Sequence, residues 1–486
     1  MTIDNRMRWL ALYVLCLGDL MIVLDGTIVN VALPSIRDDL GFSQTSLAWV
    51  VNAYLLTFGG FLLLGGRLGD LFGHRRLFLI GISLFTAASL ACGIATSQEV
   101  LVGARAIQGI GGAIVSAVAL SLLMTLFTEQ ADRAKAMGLF GFVLSGGGVI
   151  GVLAGGFLTD LLSWHWIFLV NLPVGVLVFA LSLRLLPSER GPAATGTVDV
   201  GGAVTVTGSL MLAVYAIVNG NEVGWTSAQT LGLLAAAAAL FAIFLVIEAR
   251  IASPLVPLGL FRNRNVSTSN TLGILMAAGM FAYFFFSALY LQLVLEYSAL
   301  EVGLAYLPGT VLWGASSLLL SDRLVMRYGI KTPLMAGLGL MTVALVLLAR
   351  TPVDGDWAVD VLPATLALGL GAGIAFNPIL LAAMSGVAPQ EAGLASGVVN
   401  TSFMMGGAVG LAVLASLADR HSDGLLASGD GALVALNGGY HLAFVVGAIF
   451  IAASALVGAV LLRVEAPQPH GGHEALVPAT AEGDCR

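Results

Sequence analysis

Charge is the scarcest thing in this sequence. Only 10% of its 486 residues are Asp, Glu, Lys or Arg, whereas a soluble globular chain carries about 25%. With 58% hydrophobic residues and a mean hydropathy of +0.96, the chain cannot cover a surface facing water. A soluble enzyme is excluded and a polytopic membrane protein remains. Lysine is nearly missing as well: Lys135 and Lys331 are the only two among 21 basic residues, a bias typical of a GC-rich genome. Cysteine is limited to Cys16, Cys92 and Cys485, two in apolar stretches and one in the tail, so neither a disulfide framework nor a metal site is implied. The formal charge of −7 comes without a clustered basic face, so no nucleic-acid partner is expected. After Arg6, Arg8 and the first apolar run no small-residue cleavage site follows, and the first helix is expected to stay.

What the sequence has is long apolar runs. Read with a window of about 19 residues, it shows fourteen, at 9–30, 46–66, 77–96, 100–126, 135–158, 164–186, 200–219, 230–249, 266–294, 302–320, 332–350, 359–385, 391–417 and 440–462. An even number puts both termini on one side. Placing that side in the cytoplasm leaves only Arg37, Arg350 and Arg420 outside and Arg105 within a membrane segment; the other seventeen basic residues fall inside. This satisfies the positive-inside rule.

The runs group as six, two and six. Residues 1–186 are expected to form an amino-terminal six-helix half and 187–265 a linker with a two-helix insert. A second half should cover 266–463, and 464–486 should be a disordered cytoplasmic tail. His470 and His473 in that tail are read as incidental rather than as metal ligands. An internal echo supports the halves. GGRLGDLFGHRRLFL at 65–79 aligns with SDRLVMRYGIKTPL at 321–334, so that Arg67-Leu68, Gly73 and Arg75 fall on Arg323-Leu324, Gly329 and Lys331, while Asp70 falls on Met326. Repeated halves related by an axis along the membrane normal are one recurrent transporter architecture.

The first run, WLALYVLCLGDLMIVLDGTIVNVALP at 9–34, carries two acids, Asp19 and Asp25. A carboxylate at mid-membrane costs roughly 2.5–3.5 kcal/mol on insertion scales and is kept where it meets a wet cavity or a partner. Asp25, with Asp19 as the second candidate, is therefore expected to take up and release the coupling proton of a transporter. Six residues apart, the two acids point to different helix faces. Arg105, deep in the fourth run, needs a carboxylate or several carbonyls as partners. In SGGGVIGVLAGGF at 145–157, Gly146, Gly148 and Gly151 match a dinucleotide fingerprint literally, but without a preceding strand that reading fails. Gly147, Gly151 and Gly155, at four-residue spacing, make instead a smooth face for a neighbouring helix.

Five stretches in order, LDGTIVNVALP at 24–34, the loop at 66–76, RAIQGIGGA at 105–113, GVLAGG at 151–156 and WHWIFLVNLP at 164–173, carry a resemblance. Over residues 9–463 the chain resembles the fourteen-helix drug:proton antiporter family of the major facilitator superfamily, of the actinobacterial multidrug and antibiotic exporter type. The resemblance implies an inner-gate latch at Gly66, Arg67, Asp70, Gly73, Arg75 and Arg76. It implies an Arg105 close to the first helix and coupled to Asp25, and an antiporter motif of helix 5 ending at Gly156. Val152 stands where the family usually has proline, which removes one source of a kink. Phe403-Met404 stands where the family often has Arg-Gln, which makes that face less polar.

Polar and polarisable groups that could line a substrate cavity are Asn52, Tyr54, Gln108 and Asn171, then Tyr283, Gln292, Tyr306, Trp313, Asn377, Asn400, Met404 and Met405. The expectation is an all-α, fourteen-helix, inner-membrane exporter. It would sit in the lipid bilayer and work as a monomer, with protons as coupling ion and no other cofactor, on small hydrophobic or amphipathic substrates. A proton symporter importing a small metabolite is the alternative, and it would call for more polar central helices. A sensor or membrane enzyme lacks any supporting constellation.

Overall fold

Within lipid every backbone N–H and C=O must find a partner, which leaves apolar runs of this length the helix. The computed structural model of the chain describes residues 5–127, 129–186, 199–251, 254–385, 387 and 392–463, and these residues form an all-helical membrane protein. The first half comprises α1 (Asn5–Leu40), α2 (Trp49–Phe72), α3 (His74–Gly93), α4 (Gln98–Leu126), α5 (Gln130–Leu161) and α6 (Asn171–Leu185). The insert is α7 (Val200–Val223) and α8 (Ala228–Arg250). The second half comprises α9 (Arg264–Leu289), α10 (Ala299–Ser316), α11 (Lys331–Leu348), α12 (Leu362–Met384), α13 (Ala392–Ala427) and α14 (Ala432–Leu461). Among the described residues thirteen helical stretches are long and apolar enough to cross a membrane, and α5 supplies the fourteenth helix. The expected linker at 187–198 and the tail from 464 lie outside the described residues.

Local chemistry sets the helix ends. Ser97 and Ser227 cap α4 and α8 through their hydroxyls, and Asn263 caps α9 through its amide oxygen. Ser298 and Glu301 form a reciprocal capping box at α10. Helices overrun the apolar windows because polar turns continue them beyond the hydrocarbon: α1 spans 36 residues and passes through Pro34.

Each half packs in the same pattern. In the first, α1 lies against α5, and α4 against both α2 and α3; in the second, α9 lies against α13, and α12 against both α10 and α11. The sequence echo has a physical counterpart in two loops. Gly73 and Gly329 take φ of +92° and +77°, which side-chain-bearing residues avoid. Two residues further on, the Arg75 guanidinium donates to the Leu183 carbonyl at 2.5 Å, at the end of α6. Its counterpart, the Lys331 ammonium, donates to the Ala459 carbonyl at 2.6 Å, at the end of α14. In both halves a cation at the start of the third helix thus caps the last turn of the sixth, where the helix dipole favours positive charge.

Two seams join the halves. The α5 and α10 helices meet where a Cβ on Gly156 would strike the Ala299 carbonyl and Leu300. The α2 and α13 helices meet at Gly59, whose Cβ would lie 3.0 Å from Met404 and 3.3 Å from the Thr401 carbonyl. The insert bridges this second seam: α7 packs on both α2 and α13, and Asn221 bonds to the Ser416 carbonyl at 2.7 Å.

Candidate functional site

Asp25 does not face lipid. It is completely buried inside the first half, and so is Arg105 of α4. Arg105 Nη1 donates to Asp25 Oδ2 at 2.5 Å and to Gln108 Oε1 at 2.8 Å, while its Nε donates to the Val50 carbonyl at 2.9 Å. The guanidinium carbon lies 4.3 Å above the Tyr54 ring, a cation–π contact strengthened by desolvation. The other carboxylate oxygen, Asp25 Oδ1, accepts from the Gln108 amide at 2.8 Å and from the Asn171 amide at 3.1 Å. Ser89 completes the shell: its hydroxyl accepts from Gln108 at 3.1 Å and from Asn171 at 3.0 Å, and donates to the Phe168 carbonyl at 2.9 Å.

This construction explains how charge survives here. A buried ion pair is tolerated when its remaining lone pairs and protons are also bonded, and α1, α3, α4 and α6 each contribute a group. Arg105 and Gln108 reach the same carboxylate because three residues on a helix share a face. Chemically, the site is a carboxylate held by one cation and a shell of neutral amides and a hydroxyl. A proton arriving on Asp25 would abolish the ion pair while leaving the amide bonds free to reorganise.

Asp19 belongs to a separate network. Ser116 donates to its Oδ1 at 2.5 Å, and its buried Oδ2 has no partner among the described residues. The two acids are thus divided between different partners, in keeping with their helical spacing.

The glycine face of α5 lies on α1. Cβ atoms on Gly147 and Gly155 would collide with Leu20 and with the Ile28 carbonyl, and one on Gly151 with the Thr27 hydroxyl. Gly156, next on the helix, faces α10 instead, so α5 touches the acid-bearing helix on one side and the opposite half on another. Of the inner-gate residues, Gly66, Arg67 and Asp70 lie in the last turns of α2, Gly73 in the bend, and Arg75 and Arg76 in the first turn of α3. The Asp70 side chain lies outside the described set. Arg75 holds the end of α6, and Arg76 is exposed.

The cavity candidates scatter. Tyr54 and Gln108 serve the ion pair in this conformation, and Asn52 is fully buried with neither amide atom partnered among the described residues. Tyr283, Tyr306 and Trp313 surround a small void in the second half, where Tyr306 and Ser287 share a 2.6 Å hydroxyl contact. Gln292 crosses between halves to the Val31 carbonyl at 3.0 Å. Asn377 bonds Ser317 at 3.3 Å, Asn400 lines a small void together with Phe376 and Phe403, and Met404 sits on Gly59. Sequence reasoning missed Ser89, since a single serine in an apolar run gives no signal. It also missed Asp160 at the end of α5, whose carboxylate accepts the N–H groups of Ala299 and Leu300 at 3.1 and 2.8 Å. That bond spans the two halves.

The sequence profile of the Major Facilitator Superfamily matches residues 15–411. A puromycin resistance protein of Streptomyces alboniger is 39% identical over 454 residues, covering 92% of this chain and 90% of the relative. A cephamycin export protein of Amycolatopsis lactamdurans is 37% identical over 463 residues, covering 95% and 94%. Among solved structures, the nucleoside transporter NupG superposes with a TM-score of 0.67 over 93% of this chain and 100% of its own, at 12% identity, a likeness of fold alone.

Proposed function

Because the chain belongs to the Major Facilitator Superfamily, we propose that this membrane transporter, which is not an enzyme, exports antibiotics or other amphipathic compounds in exchange for protons. The observation that carries the reading is similarity across at least nine-tenths of the length of two relatives named for antibiotic resistance and export. The buried Asp25–Arg105 pair supplies the coupling group. Both termini are assigned to the cytoplasm on the distribution of basic residues. With that orientation the ends tied by Asp160 and Gln292 are the outer ends, so the described conformation has its outer side latched.

In the cycle we infer, a proton from outside neutralises Asp25 and loosens its hold on Arg105. Their helices then shift, and α5 transmits the shift to α10 through the glycine contacts on its two faces. Each charge crossing 100 mV supplies about 2.3 kcal/mol and a tenfold proton gradient about 1.4 kcal/mol, enough to concentrate a compound outside.

The test is drug susceptibility of an efflux-deficient host, paired with transport by proteoliposomes under an imposed pH gradient. Wild type should raise resistance and respond to the gradient, and Asp25→Asn should lose the response while still exchanging substrate across the membrane. Gradient-driven export by Asp25→Asn would end the coupling assignment, and uptake with protons would end the export reading.

A further inference from the structure

We propose that a groove between α11 and α14, on the lipid-facing side of the second half, binds one anionic phospholipid, with an acyl chain in the groove and the phosphate on Arg350. The proposal stands apart from the export reading; only the choice of the outer leaflet rests on the orientation assigned above. The groove has a volume of about 360 Å3, and its walls come from α11, the two residues that follow it, and α14. Two neighbouring helices cannot enclose a chamber, so the space is a furrow on the outside of the bundle. Apolar side chains that are not part of it continue the same surface: Val343 on α11 and Leu456 and Val460 on α14 are all exposed.

Depth and polarity fit a lipid. The α11 helix has 18 residues, about 27 Å of length against a hydrocarbon core of about 30 Å. Lys331 at one end and Arg350 just beyond the other therefore stand at the two headgroup levels. From Arg350 the groove runs back to Thr342, roughly 12 Å along the helix, and so stays within one leaflet. Val346, Val445 and Ile449 form its exposed rims, and Ala448 is buried in its floor. Thr342 is the one other polar wall residue, and its hydroxyl already donates to the Leu338 carbonyl at 2.9 Å. Below the mouth no wall side chain has a polar atom to spare. That suits an acyl chain and penalises a compound whose several polar groups would go unpaired.

The charge selects the lipid. Positive charge is rare at the outer end, and of the arginines assigned there Arg37 is paired with Asp38 at 2.7 Å. The exposed Arg350 guanidinium has no hydrogen-bond or ion-pair partner among the described residues. Two acids of the following loop are engaged elsewhere: Asp356 accepts the N–H groups of Ala358 and Val359, and Asp360 accepts that of Asp356. The backbone beside Arg350 is held in place, since the Thr351 carbonyl accepts from Asn437 and from His441 of α14, each at 2.8 Å. A guanidinium fixed at headgroup height can bind a phosphate through two parallel bonds, and a headgroup of net negative charge neutralises it. The fold itself does not need this cation. Counted from Arg75 as Arg350 is from Lys331, the first half has Ile94, exposed and uncharged.

The full chain is placed in nanodiscs containing a phosphatidylglycerol with a diazirine in its acyl chain, and labelled peptides from α11 and α14 are quantified. Unlabelled phosphatidylglycerol should compete for this labelling at least fivefold better than phosphatidylcholine with the same chains. Arg350→Gln should remove most of that preference, about the fivefold that one basic residue contributes near anionic lipid, and Arg350→Lys should keep most of it. Val445→Trp, which fills the groove from α14, should reduce labelling of both peptides at least threefold without changing the melting temperature. Equal competition by the two lipids, a preference that survives Arg350→Gln, or displacement by inorganic phosphate overturns the proposal. Cross-linking of two copies through α14 overturns it as well, by making the groove a protein interface. Both leaflets of a nanodisc present the lipid, so failure here leaves the export reading and the orientation untouched.

Discussion

Arg105 and Asp25, eighty residues apart in the chain, meet at 2.5 Å with only 1% and 0% of their side chains exposed. Neither could remain charged at that depth alone, so each is the reason the other is tolerated. The pair ties α1 to α4, and a proton on Asp25 would undo it.

Removing one partner strands the other. Arg105→Ala leaves a buried carboxylate and should cost about 3–5 kcal/mol. Cys16 and Cys92 are free and buried, so in a Cys485→Ser background a thiol-reactive dye reports unfolding directly. The double variant Asp25→Asn with Arg105→Gln should melt close to wild type yet fail to export under a pH gradient. A double variant that exports normally would reduce the pair to a structural tether.

Gly151 and Gly148 should respond differently to an added side chain. A Cβ at Gly151 meets the Thr27 hydroxyl and the Leu24 carbonyl, whereas at Gly148 nothing among the described residues lies within 4 Å. Gly151→Val should cost about 1–3 kcal/mol through overpacking and impair export, and Gly148→Ala should leave melting and resistance unchanged. Equal behaviour of the two would remove the α1–α5 contact as the cause.

Asp160 satisfies the first two N–H groups of α10 while Ser298 satisfies the third. Asp160→Ala should weaken the tie between halves by about 0.5–2 kcal/mol. A cysteine at Val31, labelled from outside with an impermeant maleimide, should then react several-fold faster than with Asp160 intact, and Asp160→Asn should fall between. An unchanged rate would mean that other contacts keep the outer side shut.

Arg75 and Lys331 should be interchangeable in effect. Each caps a helix end, a role worth about 0.3–1 kcal/mol near the surface. Arg75→Lys should be nearly silent, while Arg75→Met and Lys331→Met should lower the melting temperature by similar small amounts.

The sequence was most legible where one physical constraint acts along the chain. Bilayer thickness sets the apolar windows, so the number of helices was readable, and the basic residues carry an orientation. Asp25 and Arg105 were readable because charge within an apolar run demands a partner. The shell around them was harder to see. Ser89 and Asn171 come from α3 and α6, and only folding shows that both reach Asp25 or each other. Tyr54 and Gln108 looked like cavity walls because polarity in a membrane segment does not say what it faces. An apolar cavity between the insert and the α2–α13 seam was largely hidden: Met405 is the one cavity candidate from the sequence that lines it, and most of its other walls are ordinary apolar residues drawn from five helices and a loop.

The matched clasps at Leu183 and Ala459 have a consequence for biogenesis. Each fastens the last helix of a six-helix unit to an earlier helix of the same unit, so neither unit waits for its sibling before closing its own ring. Two polypeptides divided after residue 186 and co-expressed should therefore insert independently and then associate. A duplicated ancestral gene would have left this kind of autonomy.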